Sequence, residues 1–103
     1  MKNSLPFSLV SSIQYQDGSV VSKELFRNSS STMTLFAFGK NQGLSEHTTP
    51  FDAFVTILDG QAEIIVDGNV HQVKQGEMLH MPANKPHSLK AHVPFKMLLL
   101  MLK

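Results

Sequence analysis

Short apolar runs, broken every few residues by Gly, Pro or Asp-Gly pairs, set the pattern of this chain. Runs rich in β-branched, aromatic and other apolar residues at 19–26, 32–38, 54–58, 62–66, 70–73, 78–81 and 95–102 predict β-strands. No long window keeps a 3.6-residue apolar period free of Gly or Pro, so any helix is expected to be short. The sharpest local signal is Ile64-Ile65-Val66-Asp67-Gly68-Asn69-Val70. An Asp-Gly pair between β-branched residues suits a type I′ turn, whose positive φ angles both residues tolerate, and predicts a tight hairpin. Asp17-Gly18 and Asp59-Gly60 mark two further turns. Many short strands at this spacing predict an all-β sandwich or barrel. Periodicity does not choose between the two, nor does it give strand order, because non-local pairing leaves no period in the sequence.

Residues 97–102 are all apolar. Such a strand is expected to be buried on both faces, one against the core and the other against a second sheet or subunit. A central strand and a homodimer interface both satisfy this pattern, and they are compatible. Ser29-Ser30-Ser31 is expected to be a loop, and no internal repeat or linker divides the chain. Residues 1–103 are therefore read as a single domain, with 1–30 forming an N-terminal extension and strand.

Composition narrows the function classes. At 103 residues, 42% apolar and 17% charged, the chain has enough apolar surface for one folded core. Its net charge is +1 and its lone arginine is Arg27, with lysines scattered, so no nucleic-acid-binding stripe is present. Without cysteine there is no disulfide, thiolate ligand or Cys nucleophile. The N-terminus has no long apolar core and carries Pro6, so no signal peptide is expected. The six-residue run at 97–102 is too short to cross a bilayer, and a soluble, cytoplasmic protein is the default expectation. Gly-rich phosphate loops, a Gly-x-Ser-x-Gly elbow and paired-Cys metal motifs are all missing.

The candidate chemistry lies in two histidines inside turn-rich frames. One frame reads Gly43-Leu-Ser-Glu-His47-Thr-Thr49-Pro-Phe-Asp52-Ala53 and closes at Gly60; the other reads Gly76-Glu-Met-Leu-His80-Met-Pro82-Ala-Asn84-Lys-Pro86-His87. Over roughly residues 35–99 these frames resemble the two signature motifs of single-domain cupins of the cupin 2 conserved barrel family. That resemblance implies a jelly-roll β-barrel, also described as a double-stranded β-helix. It also implies a site near the barrel axis for a divalent metal such as Fe, Mn, Ni or Zn.

In the family's first motif a His-x-His pair is followed by a Glu and later a Gly. His47 matches the first His, Thr49 occupies the second, Ala53 stands at the Glu, and Gly60 closes the motif. In the second motif Gly76, Pro82 and His87 match, while Asn84 replaces a turn glycine and Ala91 a terminal Asn. Asn tolerates the left-handed backbone region that such a turn needs. Of the usual four ligands, His47 and His87 remain.

Asp52 and His80 are the nearby candidates to complete the set. Asp52 requires a bulge after Pro50 to turn it inward, because alternation sends it to the face opposite Ala53. His80 requires an inward orientation on the strand that enters the second motif. His71 and His92 are expected on the surface. With His87 inward, Leu89 and Ala91 follow it inward while Lys90 and His92 face out. The methionines are expected to fill the core rather than bind a soft metal. Phe36, Phe38, Phe51 and Phe54 are candidates for the walls of an apolar cavity or for a dimer face.

Two functional classes follow. One is a binding module that holds a small organic molecule in the barrel, with a metal held weakly if at all. The alternative is a metal-dependent enzyme of dioxygenase or isomerase type that uses His47 and His87 with an auxiliary ligand. The residues at the vacant positions, Thr49 and Ala53, favour the binding module.

Overall fold

A computed structural model describes residues 4–103. The reading of a signal-free N-terminus includes residues 1–3, which lie outside the described residues. The strands are β1 (Val20–Arg27), β2 (Ser31–Phe38), β3 (Gly43–His47), β4 (Asp52–Asp59), β5 (Gln61–Val66), β6 (Asn69–Lys74), β7 (Met78–Met81), β8 (His87–Lys90) and β9 (Phe95–Leu102). They form two antiparallel sheets, ordered β1-β2-β9-β4-β7 and β3-β8-β5-β6. The sheets face one another across a shared core and their edges stay open, as in a jelly roll. The one helical element among the described residues is a 3-10 turn at Val10–Ser12, and no helix there is long and apolar enough to cross a membrane.

Turn chemistry behaves as the residues dictate. Asp67 and Gly68 take φ 49° and 82°, the positive pair of a type I′ hairpin, and β5 pairs with β6 in unbroken register around them. Asn84 takes φ 65°, the left-handed conformation expected of it in the second frame. β3 and β8 are the strands that the apolar pattern did not pick out. β3 is an exposed edge whose apolar side chain is Leu44, and β8 offers His87 and Leu89 to the interior in only four residues. Neither segment carries enough alternation to stand out.

The interior is filled. Phe38 and Phe95 stack with centroids 4.5 Å apart at one end, and Val55, Ile57, Ile64 and Met97 complete a fully buried apolar centre. Two packed sheets with interdigitated aromatic and aliphatic side chains leave little room, and no cavity opens among the described residues. The expected apolar cavity is therefore corrected to a solid core. Phe36 and Phe38 do face it, but Phe54 lies on the outer face, against His80.

The N-terminal segment is a strap across the outer face of the larger sheet. Leu9 and Ile13 pack there on Leu35, Ala37 and Leu98. Lys96 is 7% exposed on this face; its Nζ donates to the Val10 carbonyl at 2.7 Å and lies 5.0 Å from the Tyr15 ring centroid. Tyr15 in turn donates to Asp59 Oδ2 at 2.5 Å, and burial followed by that carboxylate raises its phenol pKa well above the usual value. Hydrogen bonds to a charged partner contribute about 1.5–3 kcal/mol. Lys96→Ala is accordingly expected to cost about 2 kcal/mol in urea unfolding and to release the strap, seen as faster amide exchange at residues 9–13.

Candidate functional site

His47 ends β3 and His87 begins β8, and the two residues are direct register partners. Because opposed residues in an antiparallel pair point to the same face, pairing alone brings the rings together. Their Nε2 atoms are 3.0 Å apart and the rings meet edge to face, with centroids 4.2 Å apart. His87 is 5% exposed while His47 is open to solvent, so the pair sits at the mouth of the barrel.

Backbone bonds set the mouth. Asn84 N–H donates to the Thr49 carbonyl at 2.7 Å, which joins the two frames, and Asp67 N–H donates to the Pro86 carbonyl at 2.8 Å. The inner row Thr32, Met101, Ala53 and Met81 runs across β2, β9, β4 and β7 at the same end. On the smaller sheet the corresponding row is His47, His87 and Val66. Leu89 and Ala91 follow His87 inward, at 4% and 0% exposure, as alternation predicts.

Each Nδ1 faces a backbone carbonyl: Ser45 O at 2.8 Å for His47 and Lys85 O at 3.3 Å for His87. A carbonyl only accepts, so the shorter bond places the His47 proton on Nδ1 and leaves Nε2 with a lone pair. The longer bond holds His87 weakly. Its proton can sit on Nε2 and be donated to His47, or return to Nδ1 and leave two nitrogen lone pairs converging. The second arrangement is a donor set for a cation, with each imidazole oriented by a carbonyl behind it. The 3.0 Å separation is within reach of one ion bonded to both nitrogens at about 2.0–2.1 Å.

The rest of the set is missing. The Thr49 hydroxyl is engaged with the backbone of Phe51, donating to its carbonyl at 3.0 Å and accepting from its N–H at 3.2 Å. Ala53 is buried and presents a methyl group. Asp52 and His80 are not brought to the pair. β4 keeps regular register from Asp52 to Ile57 and bulges only between Ile57 and Asp59, so Asp52 points outward as plain alternation requires. It accepts from or shares a proton with His80 Nε2 at 2.9 Å, and it accepts the Ala83 N–H at 3.2 Å. The His80 bond, then the Ala83 bond, hold the Asp52 carboxyl below its ordinary pKa. His80 stacks on Phe54 with centroids 4.6 Å apart, on the same outer face. No group of three or more His, Asp or Glu residues suited to a metal occurs among the described residues. The site is a two-imidazole site.

Burial, followed by the neighbouring His47, lowers the His87 pKa below the ordinary 6.5. Protons therefore bind more readily to the unfolded chain than to the native one. This contribution to stability is complete above pH 6.5 and is lost as pH falls through the depressed native value. Metal-free protein is expected to show a falling melting temperature below pH 6.5, with His87→Gln flattening that part of the profile.

The model of the cupin domain family matches residues 34–102. Among solved structures, a conserved protein of unknown function from Streptococcus pyogenes is 33% identical over 100% of this chain and 90% of its own, with a TM-score of 0.93. A cupin 2 conserved barrel domain protein from Leptotrichia buccalis is 42% identical with a TM-score of 0.91; the match covers 94% of this chain but 47% of that one. A cupin superfamily protein from Desulfitobacterium hafniense is 29% identical, with coverage of 97% and 92% and a TM-score of 0.91. No curated protein matches the chain in sequence.

Proposed function

The chain belongs to the cupin family, and from that premise we propose that it is a binding protein whose barrel mouth holds a divalent transition metal weakly on His47 and His87 and receives a small organic ligand there. The observation that supports this reading is the convergence of the two Nε2 atoms at 3.0 Å, with a carbonyl behind each ring. When bound, a metal supplies a Lewis acid with open positions for an oxygen-bearing ligand. The chain's own residues do the rest. His47 stays open to solvent and His87 stays neutral at pH 7, because burial and its neighbour depress its pKa. Thr32, Ala53 and Met81 are packed beneath the histidines, so the organic ligand would be held at the surface, through the metal, rather than enclosed in a cavity.

Two donors are few for a metal that turns over substrate, and neither Thr49 nor Ala53 adds a third. The binding reading is preferred over the dioxygenase or isomerase reading on that ground. The absence of cysteine fits a reducing cytoplasm.

Paramagnetic broadening tests the proposal. Titration with Mn²⁺ is expected to broaden the ring-proton resonances of His47 and His87 first and leave His71, His80 and His92 sharp. Broadening centred on His80, or none at all, would overturn it.

A further inference from the structure

The ladder between β3 and β8 pairs Gly43 with Lys90 and Leu44 with Leu89, breaks, and resumes at His47 and His87. The histidine pair therefore stands beyond an irregularity, and regular strand pairing fixes it from one side only. On the other side the chain leaves both strands, since β3 ends at His47 and β8 begins at His87. The loop before His87 contains a turn, closed by the Lys85 N–H on the Pro82 carbonyl at 3.3 Å, with Asn84 left-handed at its third position. Such a turn gives its two central N–H groups no internal partner. Both are taken by the segment that follows His47. Asn84 N–H donates to the Thr49 carbonyl at 2.7 Å, and Ala83 N–H donates to Asp52 Oδ1 at 3.2 Å.

We infer that Asp52, steadied by His80, is a latch that ties the loop before His87 to the segment after His47 and so sets the spacing of the two imidazoles. Its effect on binding rests on the reading of that pair as a metal site; its effect on the rings does not. The lowered pKa of Asp52 keeps it a carboxylate at pH 7, and a carboxylate only accepts. His80 Nε2 therefore carries a proton and donates it to Oδ1 at 2.9 Å. Hydrogen bonds to a charged acceptor are stronger than neutral ones, which suits a clamp made of so few bonds. His80 is itself held by stacking on Phe54, its register partner across β4 and β7, with centroids 4.6 Å apart.

The Thr49 hydroxyl closes the clamp from within by bonding both backbone groups of Phe51, which keeps the stretch from His47 to Asp52 compact. Asp52 and His80 are thus positioning residues on the opposite face of β4 from the imidazoles. Their side chains are 51% and 46% exposed, so the spacing of the histidine pair can be altered from the outer surface.

NMR of the full chain in EDTA reads the latch without metal. Asp52→Ala is expected to shift the ring-proton resonances of His47 and His87 and leave those of His71 and His92 in place. Amide exchange at Ala83 and Asn84 should quicken about tenfold. Affinity for Ni²⁺ should fall about tenfold, the scale of losing a group that orients a ligand. Asp52→Asn keeps an acceptor for the Ala83 N–H, and should restore the ring resonances and bring affinity to within about twofold of wild type. Unmoved His47 and His87 resonances in Asp52→Ala overturn the inference, and so does a loss that Asp52→Asn fails to rescue. Exchange that quickens at Ile64 and Met97 as much as at Ala83 shows general destabilisation and overturns it as well. A wild type that binds no Ni²⁺ defeats the metal reading, while the ring resonances in EDTA still decide the latch.

Discussion

Gly60→Ala is expected to lower stability by about 3 kcal/mol, which for a domain of this size lowers the melting temperature by about 12–24 °C. Two independent effects add. Gly60 takes φ +74°, a conformation that costs an L-residue about 1–2 kcal/mol. A Cβ at this position also collides with the Pro94 carbonyl oxygen and comes within 3.2 Å of Phe95 Cα, which is backbone and cannot swing away. The β4–β5 turn and the start of β9 would have to separate, loosening the Phe38–Phe95 stack. Gly68→Ala is the control. Its φ is +82°, but nothing lies within 4 Å of the added carbon, so a loss of only about 1 kcal/mol is expected. Gly60 belongs to the end of the barrel away from the histidines. The folded Gly60→Ala protein should thus keep the wild-type metal affinity, and equal melting temperatures for the two variants would contradict the close-contact account.

His47→Ala and His87→Ala are expected to be alike in binding and unlike in stability. Each removes one of two nitrogen donors, and each should reduce affinity for a divalent transition metal by about tenfold or more, to the level of the surface histidines. His47 is exposed, and its removal should change stability by no more than about 0.5 kcal/mol. His87 is 5% exposed and packs beneath it, so its truncation leaves unfilled space and should cost about 1–2 kcal/mol. Calorimetric titration with Ni²⁺ or Zn²⁺, paired with urea unfolding in EDTA, separates the two quantities. A variant that loses its binding only in proportion to its unfolding would show that the imidazoles do not hold the metal.

Local signals in the chain carried over to the structure wherever chemistry is decided within a few residues. Asp67-Gly68 forms the hairpin, Asn84 takes the left-handed turn, and His87, Leu89 and Ala91 share the inward face. The two frames led to the cupin fold, and with it to one mouth for His47 and His87. What escaped was non-local or weakly patterned. β3 has one apolar side chain, and the strap is held by Leu9 and Ile13, whose partners on β2 and β9 are remote in sequence. The pairing of Asp52 with His80 depends on β4 lying beside β7, which no period encodes. Proline at position 50 suggested a bulge that would turn Asp52 inward. The irregularity in β4 falls instead beside Asp59, where Gly60 begins the turn.

The most direct test of the central claim is metal titration of the purified, chelator-treated protein with Mn²⁺, Fe²⁺, Ni²⁺ and Zn²⁺ at pH 7. The account predicts one ion per chain at micromolar concentrations for at least one of these metals, lost in both His47→Ala and His87→Ala. No saturable binding of any of the four, or binding that persists in both variants, would contradict it.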